Sequence, residues 1–326
     1  MFEQVSLIGL GLIGSSIAHG LREKGLVKTI RALDPSASVR EDVRDLGLAD
    51  LVTDDPEQAV KGSDLVIACV PVGAFESVAR SIAPYLKPGA IVSDTGSVKR
   101  SVINQMTPHL PPSVHFVPAH PVAGTEHSGP RAGFAALFAG RWCILTPPPG
   151  TDPAAVEKLA ALWRALGAKV ETMTPEHHDM ALGITSHLPH LIAYTIVGTA
   201  ADLETHTRND VIRFSASGFR DFTRIAASDP VMWRDIFLHN RESVLSILQR
   251  FTEDLTALQR AIRDSNGAAL EETFTRTRAI RREIIEAGQA NYVYPGLPDS
   301  ATPPAARSPD EPAPEKSPRS QAKSRS

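Results

Sequence analysis

Two cysteines in 326 residues, Cys69 and Cys143, are too few for a disulfide framework or a cysteine-based zinc site, and both lie in apolar, strand-like runs. A large basic excess is also missing: the formal net charge is -3, and 22% of residues are charged. No electrostatic footprint for nucleic acid or an anionic membrane is therefore present. The opening stretch "MFEQVSLIGLGLIG" has no basic region ahead of its apolar run. Glycines break that run far short of the roughly 20 residues a membrane span needs. No internal repeat is apparent. These absences predict a soluble, unexported, cytoplasmic protein that acts on a small molecule.

What is present divides the chain into three. From residue 3 to about 173, the runs "QVSLI", "TIRALD", "DLVIACVP", "AIVSDT", "VHFVPAH" and "WCILTP" alternate with segments such as "GAFESVARSIAPYL", whose apolar residues fall at helical spacing. That alternation predicts an α/β domain over 1–174, with a mostly parallel sheet covered by helices. Over 175–292 the strand signal fades, and "ESVLSILQRFTEDLTALQRAI" steps its apolar residues by three and four, predicting an all-α domain. Over 293–326 the chain is rich in Pro and Ser, and after Leu297 it carries no aromatic and no aliphatic larger than Ala. Such a tail buries too little to offset its ordering entropy and is expected to be disordered.

The first chemical signal is "SLIGLGLIGSS". Gly9, Gly11 and Gly14 follow a strand and open a helix in G-x-G-x-x-G spacing. A side chain at Gly9 opposes the tight turn, one at Gly11 keeps a pyrophosphate off the backbone, and one at Gly14 holds the helix off the strand. The helix N-terminus offers free N–H groups to phosphate. Asp34, ending "RALD" about twenty residues on, suits the ribose hydroxyls and repels a 2′-phosphate, which favours NAD over NADP. Arg31 and Arg40 nearby pull the other way. The expected cofactor side is Gly9, Gly11, Leu12, Ile13, Gly14 and Asp34, with Val70 and Pro71 of "VPVG" and with Ser97.

Ligands of open parallel sheets gather beyond the strand C-termini. There the sequence offers Ser97 in "DTGSVK" and His120 in "AHPVAGTEHSG". Each also has a plainer reading. Ser97 suits the cap of a helix starting near Val98, and His120 suits a packed histidine at the end of a core strand.

The segments "GLGLIGSS", "DTGSVK", "HPVAGTEHSG", "HHDMALGITSHLPH" and "GFRDFTRIAASDPVMWRDIF" stand in an order and spacing that resembles the prephenate/arogenate dehydrogenases of tyrosine biosynthesis, over about residues 3–290. The resemblance implies a Rossmann domain followed by a helical dimerisation and substrate domain, a homodimer, and NAD-dependent oxidative decarboxylation of prephenate or arogenate. It implies His120 as acceptor of the substrate hydroxyl proton, with Ser97 orienting the imidazole or touching the cofactor. Arg224 falls at the position of the substrate-carboxylate arginine, with Asp221 placed to position it, and guanidinium is the better fork for a carboxylate. For Arg220 and Arg234 a solvated or salt-bridged role is expected. His187, His190 and Ser186 fall in the substrate pocket, and Thr125 and Glu126 at its mouth. Clustered histidines raise the question of a metal, but Pro189 separates the later pair, H-E-x-x-H is missing, and the implied chemistry needs no ion. Two other readings stand beside this one: a β-hydroxyacid dehydrogenase, which usually needs a lysine base in the helical half, and an NAD-sensing module without catalysis.

Overall fold

The computed structural model describes residues 1–125, 127–202 and 217–286. Glu126 and the 293–326 segment, both named above, lie outside them. Six strands, β1 (Phe2–Ile8), β2 (Val27–Leu33), β3 (Leu51–Thr53), β4 (Leu65–Ala68), β5 (Ile91–Asp94) and β6 (His115–Phe116), form one parallel sheet in the order β3-β2-β1-β4-β5-β6. Helices α1 (Leu12–Glu23), α2 (Ala37–Asp45), α3 (Pro56–Val60), α4 (Phe75–Ile82) and α5 (Lys99–Met106) make the crossovers. The strand order reverses between β1 and β4, so the turns after these strands border a crevice.

Strand β1 shows why the sheet forms. Leu7 packs in the core that holds Ile17 and Leu21 of α1, while Ile8 packs in a second core with Val60, Val66 and Ile82. Both faces are covered, so the strand reads as a continuous apolar run rather than an alternation. Ser6 interrupts it without cost, because its hydroxyl bonds the Ala59 carbonyl and the Ser63 hydroxyl.

The expected strand "VHFVPAH" is two strands. The Val117 N–H still donates to the Val92 carbonyl, but Pro118 has no N–H, and the chain leaves the first sheet. It continues as β7 (Ala119–Pro121), which pairs antiparallel with β8 (Trp142–Leu145) in a second sheet. There β8 runs parallel to β9 (Lys169–Thr172) through α6 (Pro153–Ala165). Cys143, Leu145 and Trp163 of this unit share the large core of the first sheet. His120 therefore sits on an edge strand of a three-stranded sheet, beside the end of β5.

The second half is helical: α7 (Pro175–Leu182), a π-turn (Gly183–His187), α8 (Leu188–Ala201), α9 (Ser217–Thr223), a 3-10 turn (Arg224–Ala227), α10 (Pro230–His239), α11 (Arg241–Arg263) and α12 (Gly267–Ile284). Pro189 does not break the run from α7 to α8. The wider π-turn immediately before it accommodates a residue that cannot donate. A Cβ on Gly183 would come within 2.6 Å of the Ile247 side chain, so glycine lets α11 approach here. By length and composition alone, Pro175–Ala201 is apolar enough to cross a membrane. Its face toward the first domain nevertheless carries His178, Asp179 and His187, all buried. Ile184 and Val197, with Leu255, Ile262, Phe274 and Ile280 of α11 and α12, leave large apolar side chains exposed.

Candidate active site

At the crevice, α1 starts with Gly11 at its N-cap and no side chain bonded to its free N–H groups. By contrast Ser36, Asp55, Asp152 and Thr174 cap α2, α3, α6 and α7. The three glycines have separate reasons. Gly9 has φ +88°, and a Cβ there would stand 2.6 Å from the Cys69 carbonyl oxygen; one on Gly14 would stand 2.1 Å from the Gly9 oxygen. Those two are demanded by the chain itself. A Cβ on Gly11 would meet nothing within 4 Å, so its smallness serves something other than this chain's packing.

Asp34 is buried and accepts from the N–H of Leu10 (3.0 Å) and of Ser36 (2.9 Å), which fixes its carboxylate beside the turn. Val70 stands against Gly9, Leu12 and Ile13 are half-buried on the core, and Pro71 is exposed. Arg31 is turned to the carbonyls of Gln58 and Lys61, whereas Arg40 bonds the Asp34 and Pro35 carbonyls and pairs with Asp54 at 2.9 Å. This donor and acceptor set fits a dinucleotide: open helix N–H groups for phosphate and a fixed carboxylate for ribose.

The second centre lies at the N-terminus of α5. His120 Nδ1 is 2.8 Å from His178 Nε2, and His178 Nδ1 is 2.8 Å from Asp179 Oδ1. The Asp179 carboxylate also accepts from the N–H of Lys99 (2.7 Å) and of Arg100 (3.0 Å). Beneath this lies a fully buried ion pair between Lys99 and Asp94. Lys99 Nζ also donates to the Ala119 carbonyl (2.6 Å), and Asp94 accepts from the N–H of Gly96 (2.8 Å) and Ala119 (3.2 Å). The residue preceding His120 is thus tied at both its polar groups to the "DTGSVK" turn.

Ser97 lies half-buried in that turn. It does not cap the following helix, the plainer of its two readings: Val98 holds the N-cap position, and the cap comes from Asp179, eighty residues away, because a carboxylate reaches two N–H groups at once. Burial first, then the neighbouring His178, Lys99 and His187, holds His120 well below its ordinary pKa, so its imidazole is neutral. Its Nε2 has no hydrogen-bond partner among the described residues.

The helical half supplies the rest. Asn240 Nδ2 donates to the Asp179 carbonyl (2.8 Å) and lies 3.0 Å from His187 Nδ1. Burial pushes His187 down to about 4. His190 bonds the Ser186 carbonyl through Nδ1 (2.9 Å) and stacks on Trp233, centroids 3.6 Å apart. Burial lowers His190 as well, and the Arg224 charge adds to the shift, which puts that guanidinium in electrostatic reach of the ring.

Arg224 opens the 3-10 turn rather than continuing α9, so Asp221 does not share one regular helix with it. Asp221 is exposed and pairs with Arg220 at 3.4 Å, while Arg234 pairs with Asp235 at 2.7 Å. Thr125 is half-buried and accepts from the His127 N–H at 3.2 Å. Among the described residues, no group of three or more His, Cys, Asp or Glu side chains is arranged to hold a metal ion.

Sequence reasoning treated His178 as one member of a histidine cluster, and it missed Asp179, Lys99, Asp94, Asn240 and Trp233. A signal existed: "TPEHHDMAL" places His178, Asp179 and Leu182 on one helix face, an apolar stripe with two polar residues inside it. Buried polar neighbours of that kind need partners.

The two-domain fold, the open glycine turn with its acid, and a neutral buried histidine at the interdomain crevice define a dinucleotide-dependent dehydrogenase. Residues 17–172 match the family model of the prephenate dehydrogenase nucleotide-binding domain, and residues 174–276 that of its dimerization domain. The cyclohexadienyl dehydrogenase of Zymomonas mobilis is 44% identical over 281 residues, covering 86% of this chain and 96% of the relative. The structure of prephenate dehydrogenase from A. aeolicus with hydroxyphenyl propionate and NAD+ superposes with a TM-score of 0.79, at 34% identity, covering 87% of this chain and 99% of the other. Synechocystis arogenate dehydrogenase gives 0.74 at 26% identity, covering 86% and 99%. The chain belongs to the prephenate dehydrogenase family.

Proposed function

We propose that this chain catalyses the NAD-dependent oxidative decarboxylation of prephenate to 4-hydroxyphenylpyruvate, of arogenate to tyrosine, or of both, with His120 as the base. The observation that carries the reading is the His120 imidazole: buried, neutral, bonded through Nδ1 and, among the described residues, without a partner at Nε2. The substrate is a cyclohexadienol with a ring carboxylate opposite its hydroxyl. His120 Nε2 accepts the hydroxyl proton as the carbinol carbon is oxidised, and a positioned base of this kind is worth about 10²–10⁴-fold. NAD, when bound, takes up the hydride from that carbon. Loss of CO2 then leaves its bonding electron pair to the ring, which becomes an aromatic phenolate; its oxygen takes the proton back from His120, and aromatisation makes the step effectively irreversible.

Ser97, in the turn tied to Ala119, orients the imidazole or meets the cofactor. Arg224 binds a substrate carboxylate, with Asp221 on the same segment; His187, His190 and Ser186 line the pocket, with Thr125 at its mouth, the role that the resemblance also gives to Glu126, outside the described residues. Gly9, Gly11, Leu12, Ile13, Gly14, Asp34, Val70 and Pro71 hold the dinucleotide. NAD is favoured over NADP because Asp34 repels a 2′-phosphate, while Arg31 is held by the Gln58 and Lys61 carbonyls and Arg40 by the Asp54 carboxylate and the Asp34 and Pro35 carbonyls. We divide the chain into 1–174 and 175–292; the end of β9 at Thr172 and the start of α7 at Pro175 support the first boundary. The exposed apolar side chains of the helical half support a homodimer through it. Cytoplasmic residence suits two unpaired cysteines.

The test is NADH formation by the full chain with prephenate or arogenate, each with NAD and with NADP. Turnover with NAD on at least one of them, at higher kcat/KM than with NADP, is expected. Lack of reduction on both would reject the reading.

A further inference from the structure

We infer that His178 is a positioning residue that decides which nitrogen of His120 is free to act as the base; the inference rests on the reading of His120 above. The proton positions are fixed inward from Asp179. An ionised carboxylate only accepts hydrogen bonds, and this one already takes the Lys99 and Arg100 N–H groups. At 2.8 Å from its Oδ1, His178 Nδ1 must therefore carry a proton. His178 is fully buried, and burial holds it below its ordinary pKa, so the ring is neutral and its Nε2 bears a lone pair. That lone pair faces His120 Nδ1 at 2.8 Å, which must then be the donor. A neutral His120 protonated on Nδ1 has its lone pair on Nε2. The chain Asp179–His178–His120 thus leaves one tautomer for the base.

The same chain serves the reaction. When His120 Nε2 takes the substrate proton, the Nδ1–H bond to His178 persists, and the new positive charge is met by an aligned lone pair with a carboxylate behind it. The other charged or titratable groups around His120 are Lys99, paired with Asp94 under β7, and His187 from the π-turn. Lys99, His187 and a protonated His178 all disfavour a cation there, so it is a neutral His178, with the Asp179 carboxylate behind it, that is placed to offset them. The arrangement spans the two halves: His120 belongs to β7, His178 and Asp179 to α7, and the N–H groups that anchor Asp179 to α5. Orientation of the base therefore depends on the docking of the helical half.

The test compares His178→Leu with His178→Gln in the full chain. Leucine offers His120 no acceptor; glutamine can present a carbonyl oxygen to the same N–H. We expect His178→Leu to lower kcat by about 10- to 1000-fold, with KM and the NAD Kd within about threefold of wild type, and His178→Gln to recover at least about tenfold of that loss. A kcat for His178→Leu within about threefold of wild type, or equal losses in the two variants, would overturn the inference. Nitrogen-15 NMR of histidine-labelled wild type decides the tautomer even if His178→Leu does not fold. The His120 signals are assigned by subtracting the His120→Asn spectrum, and the proton is expected on Nδ1. A proton on Nε2 in the neutral ring would overturn the inference. Wild type that turns over neither prephenate nor arogenate would sink the functional reading, and the NMR result would still stand for the tautomer.

Discussion

Two helices of the same domain, α1 and α5, begin beyond the C-terminal ends of the parallel strands, and their N-termini are treated in opposite ways. The start of α1 has no capping side chain, and a Cβ on Gly11 there would meet only open space. The start of α5 is filled by the carboxylate of Asp179 from the other half, above a buried Lys99–Asp94 pair. Free N–H groups must find an acceptor. At α1 the acceptor we propose is a phosphate of the dinucleotide, while at α5 it is the Asp179 carboxylate of the protein itself, which also accepts from His178. One end is therefore tuned for a ligand that leaves, the other for geometry that must not change.

The largest expected effect comes from breaking the α5 end. Lys99→Met strands the Asp94 carboxylate in a fully buried place, and loss of one partner of a buried pair costs about 3–5 kcal/mol. Urea denaturation of the variant measures it, and adding Asp94→Asn should return part of the loss. Acid attacks the same end. His120, His178, His187 and His190 are all lowered by burial, so the unfolded chain binds more protons than the folded one below the ordinary histidine pKa of 6.5. Stability should be level above pH 6.5 and fall toward pH 4, where His187 itself titrates in the fold, with each histidine contributing up to about 1.4 kcal/mol per pH unit. Denaturant midpoints across that range check the slope; a stability that rises on acidification would contradict it.

The α1 end should respond differently to two substitutions of one kind. Gly14→Ala forces a Cβ against the Gly9 carbonyl and should cost about 1–3 kcal/mol or more. Gly11→Ala meets no protein atom, so stability should change by less than about 0.5 kcal/mol. Its effect should appear in NAD affinity, weakened about tenfold or more where the backbone meets the pyrophosphate. Thermal melts with and without NAD separate the two; an unchanged NAD Kd in Gly11→Ala would leave that end without its assigned role.

The same contrast explains what the sequence could say. The α1 end is written within a few consecutive residues, with Asp34 one strand away, so glycine spacing and a strand-terminal acid were enough to read it. The α5 end draws Asp94, Lys99, His120, His178, Asp179, His187 and Asn240 from five separate segments, and no local period links them. His120 and Ser97 were legible as candidates, His120 through the family motifs around it. The strand carrying His120 was misread as a continuation of β6, because the apolar pattern runs unbroken through Pro118 although the ladder cannot. The plainer reading of Ser97, as a cap, fails for a related reason. Capping rules look a few residues along the chain, whereas the acceptor here comes from α7.

The central claim is that His120 takes the substrate proton while the nucleotide end works independently of it, and single turnover with saturating NAD tests it most directly. NADH and CO2 are followed together after prephenate or arogenate is added to wild type and to His120→Asn. Wild type should release one CO2 per NADH, whereas His120→Asn should bind NAD with nearly unchanged Kd and react at least about 100-fold more slowly. A variant that keeps more than about a tenth of the wild-type rate would contradict the account.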